Sequence, residues 1–421
     1  MLRNCQINGF RILNHVGSGA YGLVLHVEEI ATGRQLAMKI ILKRTLSSVA
    51  KRGTKRNDLM MNTLLTYLQT HDNVLNFPCV DLDSIHNITN EQLADVPHYR
   101  ELQLHLRVNT HPNIVTIHQV LESPLATCIV MDYYEKDLFT AIAEEGHFAK
   151  DGLLIKKVML QLCSALEHCS RANVFHCDLK PENILLDSND NVYLCDFGLA
   201  THSDILEPNV CIGSSYYMAP ERISQGDSFL MYPTLKGDIW SLGILLVNLT
   251  CIRNPWSKAH HLEDKTFAHF LKNQSILQTI LPISDELLVL LKKVLKLNPF
   301  ARIGLTQLRE EIGAIRSFTK EGPLTRCRAV QKRSTIQTIQ SPHLSDIFSI
   351  YSDAQTTTTT SCESDTDSLQ KQPTGNYLHE PSAYNRGPSD VVRNNLLQFQ
   401  LNVSTQQRIP NTVSYCNKSP F

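Results

Sequence analysis

Three short motifs, arranged in a fixed order in the middle of the chain, constrain its fold more than any other feature. The first is His176-Cys177-Asp178-Leu179-Lys180-Pro181-Glu182-Asn183. It is followed by Asp196-Phe197-Gly198 and then by Ala219-Pro220-Glu221. Chance does not produce an ordered set of this length at a meaningful rate. The motifs therefore indicate one fold and one chemistry rather than three unrelated turns.

A glycine-rich hairpin is predicted near the start of the chain. Gly17-Ser18-Gly19-Ala20-Tyr21-Gly22 lies between two strand-like segments. Glycine lets the backbone close over a triphosphate and offer N–H groups to its oxygens. Taken alone, the motif is also compatible with an ordinary turn. Its position between strands disfavours a dinucleotide-binding fold, in which the glycines would lead into a helix.

Lys39 lies on an apolar strand between Met38 and Ile40, where a charged side chain must find an anion or reach solvent. One interpretation is a lysine at a strand edge whose ammonium reaches water. The other is a clamp on the α- and β-phosphates of a nucleotide, held by a glutamate from a neighbouring helix. Glu101 is the candidate glutamate, although taken alone it is an ordinary solvated helix charge.

In this order the motifs resemble those of the eukaryotic protein kinase family. The resemblance covers roughly residues 9–315. It implies an α+β, bilobal protein-kinase-like domain over residues 9–317, with a small β-rich N-lobe (about 9–134) and a large helical C-lobe (about 135–317). The implied activity is transfer of the γ-phosphoryl group of MgATP to serine or threonine side chains of protein substrates.

The resemblance also implies a role for each matching residue. Asp178 would accept or orient the proton of the attacking hydroxyl, and Lys180 would neutralise the γ-phosphate and favour serine or threonine over tyrosine. Lys39 and Glu101 complete the catalytic set, and Asn183 and Asp196 would hold Mg²⁺ against the phosphates of ATP. The implied nucleotide-binding residues are Gly17, Ser18, Gly19, Ala20, Tyr21, Gly22, Val24, Ala37, Lys39, Met131, Asp132, Tyr134 and Leu185.

Supporting positions agree with this interpretation. The resemblance implies that Ser214 lies near Asp178, that Glu221 pairs with Arg302, and that Asp238 anchors the backbone of the catalytic loop.

The residue before Asp178 is Cys177, where many kinases carry an arginine that meets a phosphate on the activation segment. Cysteine cannot bind that phosphate. We therefore expect basal activity that does not require phosphorylation between Asp196 and Glu221. Cys195, next to Asp196, is either a reactive thiol or an inert buried cysteine.

Two further segments differ from the family pattern. Residues 45–96 form a predicted insert between Lys39 and Glu101, with helical spacing in its middle and a capping-box pattern at residues 89–92. Its basic cluster, residues 51–56, is a solvated loop, a nuclear import signal or a phosphate-binding patch. Residues 318–421 are rich in Ser, Thr, Gln and Asn, and predict a disordered tail.

Composition narrows the cellular setting. The formal net charge is −1, so no global field recruits nucleic acid or an anionic membrane. No apolar run approaches the roughly 20 residues of a bilayer span. The twelve cysteines show no paired spacing, which favours a reducing compartment. We expect a cytoplasmic or nuclear protein, and the oligomeric state stays open.

A narrower resemblance is carried by Val96-Pro97-His98-Tyr99-Arg100-Glu101 and by Leu249-Thr250-Cys251-Ile252-Arg253-Asn254-Pro255-Trp256. Both are similar to a fungal group that includes the fission-yeast kinase that restrains meiosis and budding-yeast kinases linked to glucose response. This resemblance implies nutrient signalling in a yeast. Two alternatives are a pseudokinase that binds nucleotide without turnover and a small-molecule kinase of similar fold.

Overall fold

The computed structural model describes residues 2, 5–18, 22–43, 56–89, 93, 97–148, 152–206, 211–223 and 231–321. Three of the predicted nucleotide-binding residues, Gly19, Ala20 and Tyr21, lie outside these ranges. So do most of the basic cluster of the insert, most of its capping-box pattern, and the predicted tail from residue 322 onward.

The N-terminal part is built on an eight-stranded sheet. Its strands are β1 (Gln6–Ile7), β2 (Phe10–Ser18), β3 (Leu23–Glu29), β4 (Gln35–Leu42), β5 (Val74–Leu75), β6 (Cys79–Val80), β7 (Ile117–Glu122) and β8 (Ala126–Asp132). They are ordered β5-β1-β2-β3-β4-β8-β7-β6. Apolar residues alternate along β3, so that Leu23, Leu25 and Val27 all face the core.

The two edges of this sheet come close together. The edge strands β5 and β6 are separated only by residues 76–78, and a connection of that length spans at most about 14 Å. The sheet must therefore curl until its edges are near each other. Asn8 helps to hold them, because its side chain donates to the carbonyl of Phe77 and accepts from the Phe77 N–H, each at 2.8 Å.

The insert packs onto the sheet rather than looping away from it. Helix α1 (Arg56–Gln69) buries Met60, Leu64 and Leu68 in the core of the N-terminal sheet, which confirms the helical spacing predicted there. Helix α2 (Leu82–His86) is capped by Asp81 and packs against α3 (Pro97–Val108). The sequence did not indicate α2, β5 or β6.

The C-terminal part is mainly helical. Its helices are α4 (Gly152–Arg171), α5 (Pro220–Ile223), α6 (Thr234–Cys251), α7 (Lys265–Lys272), α8 (Ile276–Ile280), α9 (Asp285–Val294) and α10 (Leu305–Ala314). A π-helical turn spans Thr140–Glu144, and 3₁₀ turns span Pro181–Asn183 and Pro299–Ala301. Helix α6 is buried along most of its length, so the other helices pack around it.

Two small sheets complete the described part. Strands β9 (Lys136–Asp137), β10 (Ile184–Leu186) and β11 (Val192–Leu194) form one, and β12 (Ile205–Leu206) with β13 (Tyr232–Pro233) forms the other. The β10–β11 hairpin was predicted, and Asp187 closes it by accepting from the N–H groups of Asn189 and Asn191. The predicted α+β kinase-like fold class is confirmed, whereas the domain boundaries stay predictions.

Among the described residues, no helix combines the length and apolarity that crossing a bilayer requires.

Candidate active site

Lys39 and Glu101 form the ion pair that the sequence predicted across 62 residues. Strand β4 carries Lys39 and helix α3 carries Glu101, and Lys39 Nζ lies 2.5 Å from Glu101 Oε1. The ammonium is also 3.7 Å from Asp196 Oδ1. Burial acts to lower the pKa of Lys39, but the charges of Glu101 and Asp196 outweigh it and raise that pKa above its ordinary value. Lys39 is therefore a fixed cation between Glu101 and Asp196.

Asp196 has a carboxylate oxygen that accepts no hydrogen bond from the protein. Its Oδ1 is buried and accepts no hydrogen bond, and its backbone is in the left-handed region at φ 60°. Burial acts to raise the pKa of Asp196, but Lys39, His176 and Lys180 lower it further than burial raises it. Asp196 is therefore an ionised carboxylate whose Oδ1 lies 3.7 Å from the Lys39 ammonium but accepts no hydrogen bond, so it can still bind a cation.

Asn183 is the second predicted metal ligand. Its amide nitrogen donates to Asp178 O at 2.9 Å and to Asp178 Oδ2 at 3.2 Å, which leaves its amide oxygen as the atom it offers to a cation. Within the described ranges no three His, Cys, Asp or Glu side chains gather to hold a metal ion. Magnesium is typically held by one or two protein oxygens together with phosphates. Asn183 and Asp196 fit that mode.

Asp178 lies at the centre of a short hydrogen-bond network. Lys180 Nζ is 2.7 Å from Asp178 Oδ2, and the Ser214 hydroxyl donates to Asp178 Oδ1 at 2.8 Å. Lys180 Nζ also donates to Ser214 Oγ at 3.2 Å. A carboxylate offers about four lone-pair positions, so Asp178 can accept a hydrogen bond from one more hydroxyl without losing these partners.

The catalytic loop is fixed to helix α6 through Asp238. The two carboxylate oxygens of Asp238 accept from the backbone N–H groups of His176 and Cys177, each at 3.0 Å. Asp238 is completely buried, and hydrogen bonds to a buried carboxylate are among the stronger ones in proteins. The structure thus places Asp238 as the resemblance implied.

Glu221 and Arg302 are brought together as well. Arg302 donates from Nη1 to Glu221 Oε1 at 2.7 Å and from Nη2 to Oε2 at 3.0 Å, with both side chains fully buried. The guanidinium lies over the ring of Trp240, 5.0 Å from its centroid. This pair ties the end of the Ala219-Pro220-Glu221 motif to the helical core.

The residues predicted to contact adenine line neighbouring strands. Ala37 is paired with Met131 in the β4–β8 ladder, and Val24 is paired with Lys39 in the β3–β4 ladder. Leu185 lies on β10 opposite Tyr193, whose ring stacks on Tyr134 at 4.0 Å between centroids. The adenine contacts of these residues stay predictions.

Asp132 is the last residue of β8, and protein groups surround its carboxylate. Its carboxylate accepts from Arg34 at 2.9 Å and from the Thr116 N–H at 3.2 Å, and it lies 2.7 Å from His118 Nε2. Burial acts to raise the pKa of Asp132, but His118 and Thr116 lower it further than burial raises it. The side chain is therefore committed to the protein, and the backbone N–H donates to Thr116 O, which leaves the backbone carbonyl of Asp132 for the predicted nucleotide contact.

The two described ends of the glycine-rich hairpin differ. Gly17 has open space where a Cβ would lie, whereas a Cβ on Gly22 would come within 2.2 Å of the carbonyl oxygen of Ile40. Gly22 is therefore required by the close approach of β4, whatever its part in nucleotide binding. Ser18 is the last described residue before residues 19–21, and its backbone pairs with that of Leu23.

Cys195 is better explained as an inert cysteine. Burial raises its pKa well above the ordinary value, and the adjacent Asp196 carboxylate adds to that effect. A thiol held in its protonated form is a poor nucleophile.

Sequence reasoning missed two residues that touch this site. His105 follows Glu101 by one helical turn, and its ring lies 4.7 Å from that of Phe197, which in turn lies 5.0 Å from His176. The i, i+4 spacing from Glu101 was a signal that could have found it. Arg222, directly after Glu221, is completely buried beneath the catalytic loop, and only its charge inside an apolar segment hinted at that position.

The fold and this arrangement define a protein kinase. A family model described as the protein kinase domain matches residues 82–311, and the chain belongs to that family. The match begins within the insert, so Lys39 lies before it. The structure nevertheless brings Lys39 to Glu101 and Asp196.

Three fungal relatives are similar over most of this chain. The serine/threonine-protein kinase SKS1 of Saccharomyces cerevisiae is 53% identical over 344 residues, covering 77% of this chain and 68% of that protein. The serine/threonine-protein kinase VHS1 of the same yeast is 48% identical over 350 residues, covering 79% and 76%. The negative regulator of sexual conjugation and meiosis of Schizosaccharomyces pombe is 35% identical over 333 residues, covering 74% and 61%.

Proposed function

We propose that this chain is a serine/threonine protein kinase that transfers the γ-phosphoryl group of MgATP to protein substrates. The observation that supports this most strongly is the convergence of Lys39, Glu101 and Asp196, with Lys180 close enough to lower the pKa of Asp196. Two fixed cations, and a carboxylate that can hold magnesium, match the negative charge that accumulates on a transferring phosphoryl group.

The residues divide the work between nucleotide and acceptor. Lys39, held by Glu101, binds the α- and β-phosphates, while Asn183 and Asp196 hold magnesium. When bound, magnesium neutralises charge on the phosphate oxygens. Asp178 accepts a hydrogen bond from the attacking hydroxyl at the oxygen where it now meets Ser214 and orients that hydroxyl. Lys180 lies between Asp178 and the incoming phosphoryl group and balances its charge.

Lys180 supports a serine or threonine acceptor. Its Nζ is held by Asp178 and Ser214 on the acceptor side of the loop, where tyrosine kinases carry other residues. The printed names of the two Saccharomyces relatives describe serine/threonine kinases, which agrees with this assignment.

A labelled-ATP assay on a peptide library tests the proposal. The full chain should phosphorylate serine and threonine peptides and not tyrosine peptides. The Asp178→Asn variant should lose turnover while still binding ATP, because residue 178 contacts the acceptor and not the nucleotide. Absence of turnover by the unmodified chain, with ATP bound, would favour the pseudokinase alternative, to which the described residues give no support.

The setting we propose is nutrient signalling in a yeast, in the cytoplasm and nucleus. It rests on the resemblance to the fungal group and on the basic cluster of the insert. Replacing the chromosomal gene with the Asp178→Asn allele should change growth when glucose becomes limiting. Equal growth of both alleles on every carbon source would contradict the pathway assignment and leave the enzymatic one intact.

The nuclear localisation has its own test. A fluorescent fusion of the full chain is compared with the same fusion carrying charge-neutralising substitutions at Lys51, Arg52 and Lys55.

A further inference from the structure

Arg222 is a buried cation that the proposed chemistry does not use. It lies directly after Glu221, outside the Ala219-Pro220-Glu221 motif, and 1% of its surface is exposed. A guanidinium at that depth requires acceptors on all sides. It donates from Nη2 to Thr234 O at 2.9 Å and from Nη1 to Cys177 O at 3.3 Å, and it lies 3.5 Å from Asp238 Oδ1.

Cys177, the residue before Asp178, is held on both of its backbone polar groups. Its N–H donates to Asp238 and its carbonyl accepts from Arg222. Its φ is 65°, in the left-handed region that a residue with a side chain seldom adopts. Such a backbone persists only where the surroundings fix it from several directions. Arg222 and Asp238 together supply those directions, and they also attract each other.

The space for Arg222 is reserved by small side chains. A Cβ on Gly237 would come within 2.3 Å of the Arg222 guanidinium carbon, so helix α6 needs glycine there. The Cys177 thiol lies 3.7 Å from Arg222 Nη2, in the direction that a longer side chain at position 177 would enter. An arginine at 177 would bring a second guanidinium to the same carboxylate. The cysteine and the arginine are therefore complementary in volume and charge.

The hydrogen bonding of Arg222 is incomplete. Its buried Nε makes no well-formed hydrogen bond, although the Tyr232 hydroxyl lies close enough to the guanidinium to interact with it. A buried ion pair with an unsatisfied N–H is weak support for overall stability. Apolar side chains would fill the same space at least as well, so stability alone does not account for the arginine.

We propose that Arg222 is a positioning residue that holds the catalytic loop at Cys177, and through it Asp178, in the active arrangement without any phosphate on the activation segment. The inference rests on the proposed kinase function. Because Arg222 is completely enclosed, a phosphate group cannot reach it, and the support it gives to the loop is permanent. Kinases with arginine at the position of Cys177 make that support conditional on phosphorylation. In this chain the supporting cation is Arg222, at the end of the activation segment, and not an arginine at position 177.

Substitutions at positions 177 and 222, alone and combined, test this proposal. The variants are Arg222→Leu, Arg222→Lys, Cys177→Arg and the double variant Cys177→Arg with Arg222→Leu, all in the phosphatase-treated full chain. Arg309→Leu is the matched control, since Arg309 is half-exposed and pairs with Glu167 away from the loop. Steady-state kinetics give kcat and both KM values, and hydrogen–deuterium exchange reports on residues 175–183 without nucleotide.

Arg222→Leu should lower kcat by about 10–100-fold with the KM for ATP within about threefold of the unmodified chain, since Arg222 does not contact the nucleotide cradle. The amides of residues 175–183 should exchange faster. Arg222→Lys keeps the charge without the two-sided donor geometry, so its kcat and its loop exchange should lie between those of the unmodified chain and Arg222→Leu. It also provides a folded test protein if the leucine variant does not fold. In the phosphatase-treated chain the double variant should stay as slow as Arg222→Leu, because an arginine at position 177 supports the loop only when the activation segment carries a phosphate. Arg309→Leu should match the unmodified chain in loop exchange.

Unchanged exchange over residues 175–183 in both Arg222 variants would overturn the inference, as would a double variant that reaches the kcat of the unmodified chain without any phosphate. Loop exchange does not depend on turnover. An inactive unmodified chain would therefore contradict the proposed function, while the exchange data would still decide the role of Arg222.

Discussion

The Glu221–Arg302 pair shows how a single residue can depend on partners far away in the chain. The two side chains lie 81 positions apart and form two parallel hydrogen bonds in the fully buried interior. Arg302 also donates to the carbonyls of Lys296 and Lys236. The carboxylate, the carbonyls and the ring of Trp240 surround the guanidinium, so the charge is stable only while all of them are in place.

Removing Arg302 should therefore destabilise the protein strongly. Arg302→Ala leaves the Glu221 carboxylate buried without its counter-charge, which costs about 3–5 kcal/mol. Urea denaturation of the full chain measures this loss. Lys258→Ala is the control, because it removes an exposed ion pair with Glu263 and should cost less than about 1 kcal/mol. Similar losses in the two variants would show that the Glu221–Arg302 pair is not a structural anchor.

Residue identities that belong to motifs were predictable, and residues that fill space around them were not. Lys39, Glu101, Asp178 and Asp196 were identified because their chemistry fixes both their type and their order. Ser214 was expected near Asp178, but its contact with Lys180 was not. Arg222 could not be placed, because its role depends on the room left by Gly237 and Cys177, which no local pattern expresses.

At the scale of elements, the insert is the part that sequence patterns described least. The spacing of Met60, Leu64 and Leu68 predicted α1 because a helix that packs on a sheet repeats its apolar positions. Strands β5 and β6 have two residues each, too few for any period to show. Helix α2 has five residues, and its cap at Asp81 was overlooked in favour of the pattern at residues 89–92, most of which lies outside the described part.

The insert contacts the helix that carries Glu101. Gln103 lies two residues after Glu101 and is buried, and its side-chain amide donates to the carbonyls of Ile85, His86 and Ile88 at 3.4, 3.2 and 3.0 Å. These carbonyls belong to the end of α2 and the residues after it. Ile85 also joins the apolar cluster of Leu102 and Leu106 on α3. The insert thus fixes α3 from the side opposite the nucleotide cleft.

Gln103→Leu should loosen α3 and, with it, the Lys39–Glu101 pair. The three carbonyls would lose their donor, which costs about 1–3 kcal/mol, and a displaced Glu101 would lower kcat/KM for ATP by about 10–100-fold. Steady-state kinetics over a range of ATP concentrations measures the second effect. Arg107→Ala, an exposed change on the same helix, is the control and should leave kcat/KM unchanged. A stability loss without a kinetic loss would mean that the insert supports the fold but not the position of Glu101.

At the scale of the whole domain, the sheet-rich and helical parts meet through aromatic rings. Phe197 lies between His105 of α3 and His176 of the catalytic loop, and it is fully buried. His105 Nε2 lies 2.6 Å from Val115 O, so this nitrogen carries the proton. The fold class and the two-part organisation followed from the motifs, but this contact did not, because it depends on how the two parts approach each other.

The same contact makes the stability of the domain sensitive to acid. Burial lowers the pKa of His105 to about 4, against about 6.5 for an exposed histidine. The unfolded chain therefore binds a proton at His105 below about pH 6.5, while the folded chain does not until about pH 4. The stabilisation is complete above pH 6.5 and is lost as the pH falls towards 4. Between pH 7.5 and 5.0 the loss from this one residue amounts to about 2 kcal/mol.

Replacing His105 should remove that share of the pH dependence. His105→Leu loses the bond to Val115 and starts from a lower stability, but its free energy of unfolding should fall by about 2 kcal/mol less than that of the unmodified chain between pH 7.5 and 5.0. Urea denaturation at the two pH values measures the difference. His98, whose pKa burial also lowers to about 4, titrates equally in both proteins and cancels. His15→Leu, an exposed change on β2, should retain the full pH dependence. Parallel losses in the His105→Leu variant and the unmodified chain would mean that His105 takes up its proton as readily in the folded protein as in the unfolded chain.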